Sequence, residues 1–120
     1  MSHFDVEVLF SENQPSKAVL RLVGSLDAFA LSQIEKRIQT LIRDEQKIKL
    51  VVDCGKLKFI SSPGLGLFLG TLNELEKRGG KLIFSQVIHP DVNDAMSCLG
   101  FFDIFQAYNS EEEAYRHLDD

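Results

Sequence analysis

Residues 48–84 read IKLVVDCGKLKFISSPGLGLFLGTLNELEKRGGKLIF, and the fold turns on how this stretch divides. Ile48 to Val52 is a nearly continuous apolar run closed by Asp53, the pattern of a strand covered on both sides. Cys54 to Ile60 reads as a loop leading to Ser61-Ser62-Pro63. Ser62 followed by Pro63 is a helix start, with Ser62 as N-cap. Its hydroxyl can accept an orphan backbone N–H, and Pro63 at the first helical position has none to lose. Leu65, Phe68, Leu69, Leu72 and Leu75 continue the helix along one face. Lys77 and Arg78 fall where the C-terminal dipole favours cations, and Gly79-Gly80 stops the helix. Lys81 to Val87 is then a further strand.

Working outward, Phe4, Val6, Val8 and Phe10 alternate with Asp5 and Glu7, the period of a half-buried strand. A polar turn, residues 11–16, separates them from the run Ala18 to Val23 that ends at Gly24. Two such runs across a short turn predict a hairpin. Asp27 is a good N-cap for the next element. Leu31, Ile34, Ile38, Leu41 and Ile42 recur at helical spacing, giving an amphipathic helix of about four turns. Downstream, His89-Pro90 opens a short helix carrying Val92, Ala95, Met96 and Leu99. Phe101 to Phe105 reads as an edge strand, and Ser110 with Glu113 makes a capping box for a last short helix. The later strands alternate with helices and so run parallel. The expected fold class is α/β: one domain over residues 1–120, a mixed β-sheet opening with a β-hairpin and flanked by about four helices.

At 120 residues, with average apolar content, the chain can bury a core without metals or disulfides. A net charge of -5 and scattered lysines and arginines argue against nucleic acid, whose binding relies on clustered cations. Cys54 and Cys98 are far apart, in no metal-binding spacing, and read as reduced thiols. The N-terminus has no basic region followed by an apolar core, and no apolar stretch approaches the ~20 residues of a membrane span. A cytoplasmic protein is expected.

Catalytic patterns are missing. His3, His89 and His117 stand near no nucleophile motif, and Gly64, Gly66 and Gly70 lack the Gly-Lys-Ser/Thr ending of a phosphate loop. No cofactor and no metal site are expected. Gly66 and Gly70 share a helix face. Glycine weakens a helix interior by roughly 0.5–1 kcal/mol relative to alanine, so they call for tight packing on the sheet or a surface left bare for a partner. Asp53 ends a strand as in receiver domains, but the acidic pair and lysine of that pattern are absent, which leaves it as a loop-capping carboxylate. On local evidence Ser62 is an N-cap.

The segment Phe59-Ile60-Ser61-Ser62-Pro63-Gly64-Leu65-Gly66 also resembles the hallmark of the STAS family of anti-sigma factor antagonists, whose phospho-acceptor falls on Ser62. Gly24-Ser25-Leu26-Asp27, Leu50 to Asp53, Gly79 to Leu82, Leu99 to Phe105 and Glu113-Ala114 are similar to further pieces of that family in the same order. Two departures are Ser61, where an aspartate often stands, and Pro63 in place of a small residue. The resemblance implies a partner-switching protein that is not an enzyme. Unphosphorylated, it would bind an anti-sigma factor that is also a serine kinase; phosphorylation of Ser62 would release it, and a PP2C-type phosphatase would restore it. The implied partner surface is Asp27, Ser61, Ser62, Pro63, Gly64, Leu65 and Gly66. Alternatives are an unphosphorylated STAS adaptor in a signalling scaffold or transporter-associated complex, and an enzyme with an unrecognised site.

Overall fold

In the computed structural model, which describes residues 3–120, the chain opens with β1 (Phe4–Leu9) antiparallel to β2 (Lys17–Leu26). Met1 and Ser2, part of the N-terminal stretch read above for a leader, lie outside the described residues. Helix α1 (Ala28–Gln39) follows and runs into a π-helical turn, Thr40–Asp44, that carries Leu41 and Ile42 inward. Then come β3 (Lys49–Ile60), α2 (Ser62–Lys77), β4 (Lys81–Ser85), α3 (Pro90–Cys98), β5 (Ala107–Tyr108) and α4 (Glu111–Arg116). The sheet order is β1-β2-β3-β4-β5, parallel from β2 onward. The expected single α/β domain with a mixed sheet is what forms.

Strand alternation sorts the side chains between two cores. Leu20, Leu22, Leu50, Val52 and Phe84 join Ile34, Ile38, Phe68, Leu75, Val92 and Met96 on the face covered by α1, α2 and α3. Val19, Val51 and Ile83 point the other way, onto Ala114 and Leu118. Phe84 anchors the larger core, with edge-on contacts to Phe68, Phe101 and Phe105. Fully burying each such side chain contributes about 1.5–3 kcal/mol.

Four expectations are corrected. Cys54 to Ile60 is not a loop: β3 continues to Ile60 beside β2, through two register shifts. Its Leu57 and Ile60 are buried while Lys56 and Lys58 face solvent. Asp53 therefore lies within a strand and caps no loop of the expected kind. Phe101 to Phe105 is not a strand but a 3-10 turn, Phe101–Asp103, entered through Gly100 at φ 67°. Phe101 and Phe105, four residues apart, stack with ring centroids at 4.2 Å, where a strand would hold such residues about 13 Å apart; the fifth strand is the short β5. The strand at Lys81 stops at Ser85, before Gln86 at φ 55°. Finally, the N-cap of α2 is Ser61 and not Ser62.

Candidate functional site

β2 and β3 end side by side, with Leu26 opposite Ile60. Each leads straight into a helix, so the N-termini of α1 and α2 emerge at one corner of the sheet. The backbone N–H of Ser61 donates to the carbonyl of Leu26 at 2.9 Å, which pins Ser61 to the strand end in extended conformation (φ -81°, ψ 162°). From there its Oγ accepts the N–H of Gly64 at 3.2 Å. Asp27 does the same for α1, its carboxylate accepting the N–H of Ala30 at 3.0 Å. Caps of this kind stabilise by about 1 kcal/mol.

With Ser61 as cap, Ser62 is the first helical residue and Pro63 the second. Pro63 sits within the first turn, where no intrahelical N–H bond is lost. Ser62 is exposed, and its hydroxyl makes no hydrogen bond among the described residues. Structure therefore separates two roles that the sequence merged: Ser61 holds the helix, and Ser62 is presented to solvent.

The remaining expected contact residues divide. Pro63 and Gly66 are exposed, and Asp27 and Ser61 half-buried. Gly64 and Leu65 face inward: Leu65 is 2% exposed, and a Cβ on Gly64 would stand 3.1 Å from Ile60 and 3.3 Å from Leu26. These two set the close approach of α2 to the strand ends instead of offering a surface. A Cβ on Gly66 or Gly70 would meet nothing within 4 Å, so of the two reasons for glycine there, packing on the sheet is excluded. They leave bare helix surface on the face that begins at Ser62. Phe29 (92% exposed), in the first turn of α1, and Phe59 (46%) add apolar surface that the sequence reading passed over. Phe29 sits out of phase with the stripe Leu31-Ile34-Ile38, and that phase was the available signal.

On the opposite face of the sheet Arg21 gathers carboxylates. It donates to both oxygens of Glu111, at 2.6 and 2.8 Å, and to Glu7 at 2.9 Å, tying α4 to the hairpin. The Arg21 guanidinium holds the Glu111 carboxyl below its ordinary range. Asp53, buried beside them, accepts the Ser85 hydroxyl at 2.7 Å and the Gly55 N–H at 3.2 Å. Burial pushes its carboxyl above the ordinary value despite those bonds. A cavity of about 430 Å³ opens over this group. Burial also raises the Cys54 thiol. No group of three or more metal-ligating side chains occurs among the described residues, and no helix among them is long and apolar enough to cross a membrane.

Comparison with known proteins covers most of the chain. The family model described as STAS domain matches residues 10–114. An anti-sigma F factor antagonist of Paenibacillus polymyxa is 27% identical over 108 residues, covering 90% of this chain and 92% of that one. Another of the same name, from Lysinibacillus sphaericus, is 35% identical over 81 residues, 68% of this chain and 66% of that one. The solved structure of the anti-sigma factor antagonist SpoIIAA in its unphosphorylated form superposes with a TM-score of 0.80 at 29% identity, covering 98% and 96% of the two chains. The same protein from Bacillus is also solved in a phosphorylated form (TM-score 0.71, coverage 96% and 98%). The chain belongs to the STAS-domain family, in the branch that includes the anti-sigma factor antagonists.

Proposed function

We propose that this protein is an anti-sigma factor antagonist that works by partner switching in the cytoplasm and catalyses no reaction itself. Unphosphorylated, it binds an anti-sigma factor that is also a serine kinase, so that a sigma factor goes free. Phosphorylation of Ser62 breaks the complex, and a PP2C-type phosphatase restores it. The observation that carries this reading is the exposed, unbonded hydroxyl of Ser62 at the first position of a 16-residue helix.

The physics supports it. A phosphate adds about -1.5 to -2 charges and three acceptor oxygens. At the N-terminus of α2 it meets the positive end of the helix dipole, so the fold tolerates it. A partner covering the corner would have to desolvate a dianion, and an unpaired buried charge costs about 3–5 kcal/mol. That is a hundredfold or more in affinity. Gly66 and Gly70, with no side chains to hold a partner off, continue the same helix face from Ser62.

Incubation with ATP and an extract of the source cell, followed by mass spectrometry, tests the reading. Phosphate on Ser62 of the wild type, and none on Ser62→Ala, is the expected result. An adaptor that is never phosphorylated would carry no phosphate in either form.

A further inference from the structure

Pairing of β3 with β4 ends at Asp53 and Ser85, yet β3 runs on to Ile60. The segment leaving β4 at Gln86 turns through a positive φ and enters α3 at Pro90. Between this segment and the second half of β3 lies an open groove of about 600 Å³, walled by Val23, Leu57, Ile88 and Pro90 and edged by Lys56 and Lys58. Ile88 is 68% exposed. That is a large apolar side chain left in water at the mouth of an apolar groove.

Charge decides what the groove suits. The chain carries a net charge of -5, but no acidic residue lines this groove. The side chains of Lys56 and Lys58 are exposed and make no ion pair or hydrogen bond among the described residues. The adjoining cavity, which Lys56 also lines, is acidic, with Asp5, Glu7, Asp53 and Glu111 beside Arg21. None of its carboxylates pairs with Lys56 or Lys58: Arg21 takes Glu7 and Glu111, and Asp53 accepts from Ser85 and Gly55. Two uncommitted cations beside an apolar wall fit carboxylates flanking an apolar side chain. Nucleic acid or an anionic membrane would call for a wider field of cations.

We propose that this groove docks an acidic segment of a protein partner, seating one bulky apolar side chain against Ile88 and Pro90 and placing carboxylates on Lys56 and Lys58. The groove adjoins the strand that leads to Ser61, so one partner can reach both places. Docking here does not depend on phosphorylation of Ser62, and the proposal stands beside that reading instead of on it.

The test is an amide NMR titration of the intact protein with two capped hexapeptides, Glu-Asp-Leu-Phe-Glu-Asp and Lys-Lys-Leu-Phe-Lys-Lys. The acidic peptide should shift the amides of Lys56, Leu57, Lys58 and Ile88 saturably, and bind several-fold more weakly at ~0.3 M than at ~0.02 M salt. Lys56→Glu with Lys58→Glu should lose roughly tenfold in affinity, and Ile88→Asp should lose binding with both lysines intact. All three changes are at exposed positions, and circular dichroism checks that the fold is kept. Ser62→Ala should bind the peptide unchanged, which separates failure here from failure of the phosphorylation reading. Equal shifts from both peptides, shifts elsewhere, or none up to millimolar acidic peptide would overturn the proposal.

Discussion

The N–H of Ser61 reaches the carbonyl of Leu26 at 2.9 Å, and this bond assigns the two adjacent serines different work. It fixes Ser61 at the strand end, where its hydroxyl caps α2, and moves Ser62 one place into the helix and out toward solvent. Modification of Ser62 therefore requires no cap to be broken, whereas modification of Ser61 would cost the capping bond to Gly64.

Ser61→Ala is expected to lower stability by about 1 kcal/mol through loss of the cap, a melting point down by about 4–6 °C for a domain of this size. Ser62→Ala should leave stability nearly unchanged, because alanine is at least as good a helix former. Thermal denaturation of both variants checks this. Equal losses would show that both hydroxyls hold the helix.

Ser62→Asp should weaken binding to the partner kinase while the melting point stays within about 2 °C, since a carboxylate in the first turn is favoured by the helix dipole. A drop of ten degrees would place the effect in the fold and not at the interface.

The glycines of α2 should respond with opposite signs. Gly66→Ala and Gly70→Ala, where an added Cβ meets open space, should each stabilise by about 0.5–1 kcal/mol. Gly64→Ala, whose Cβ would press on Ile60 and Leu26, should destabilise by about 1 kcal/mol. Denaturant titrations measure all three. A bulkier Gly66→Leu should keep the fold and lower partner affinity.

Asp53→Asn tests the buried carboxylate. Burial raises its proton affinity in the folded protein, so the folded state holds that proton more readily than the unfolded chain. Stability from this group is present below the ordinary aspartate range, about 3.9, and is lost as pH rises through the raised value. The variant, which stays neutral and can still accept one of the two hydrogen bonds, should be the more stable form at neutral pH. Its advantage should shrink toward pH ~4. Paired denaturation curves across that range check it; a variant less stable at neutral pH, or a gap that ignores pH, contradicts it.

Much of this fold was legible because local signals agreed with tertiary ones. Phe4, Val6 and Val8 alternate and pack as they read, Asp27 caps as it reads, and Leu65, Phe68 and Leu75 form the buried stripe. What stayed hidden depended on distant partners. The tail of β3 is a strand only because β2 continues beside it through two register shifts. Phe101 to Phe105 turns because Phe84 offers a place for two stacked rings. Ser61 and Ser62 are both able caps, and proline is tolerated at either of the first two helical positions. Only the bond to Leu26 chooses between them, and Leu26 is thirty-five residues back in the chain.

The central claim is that phosphate on Ser62 decides partner binding. The most direct measurement is calorimetric titration of the serine kinase that the unphosphorylated protein captures, against the wild type with and without phosphate on Ser62. The account predicts tight binding by the unmodified protein and an affinity at least roughly a hundredfold weaker once Ser62 carries phosphate. Equal affinity of the two forms, with the phosphate confirmed on Ser62, would contradict it.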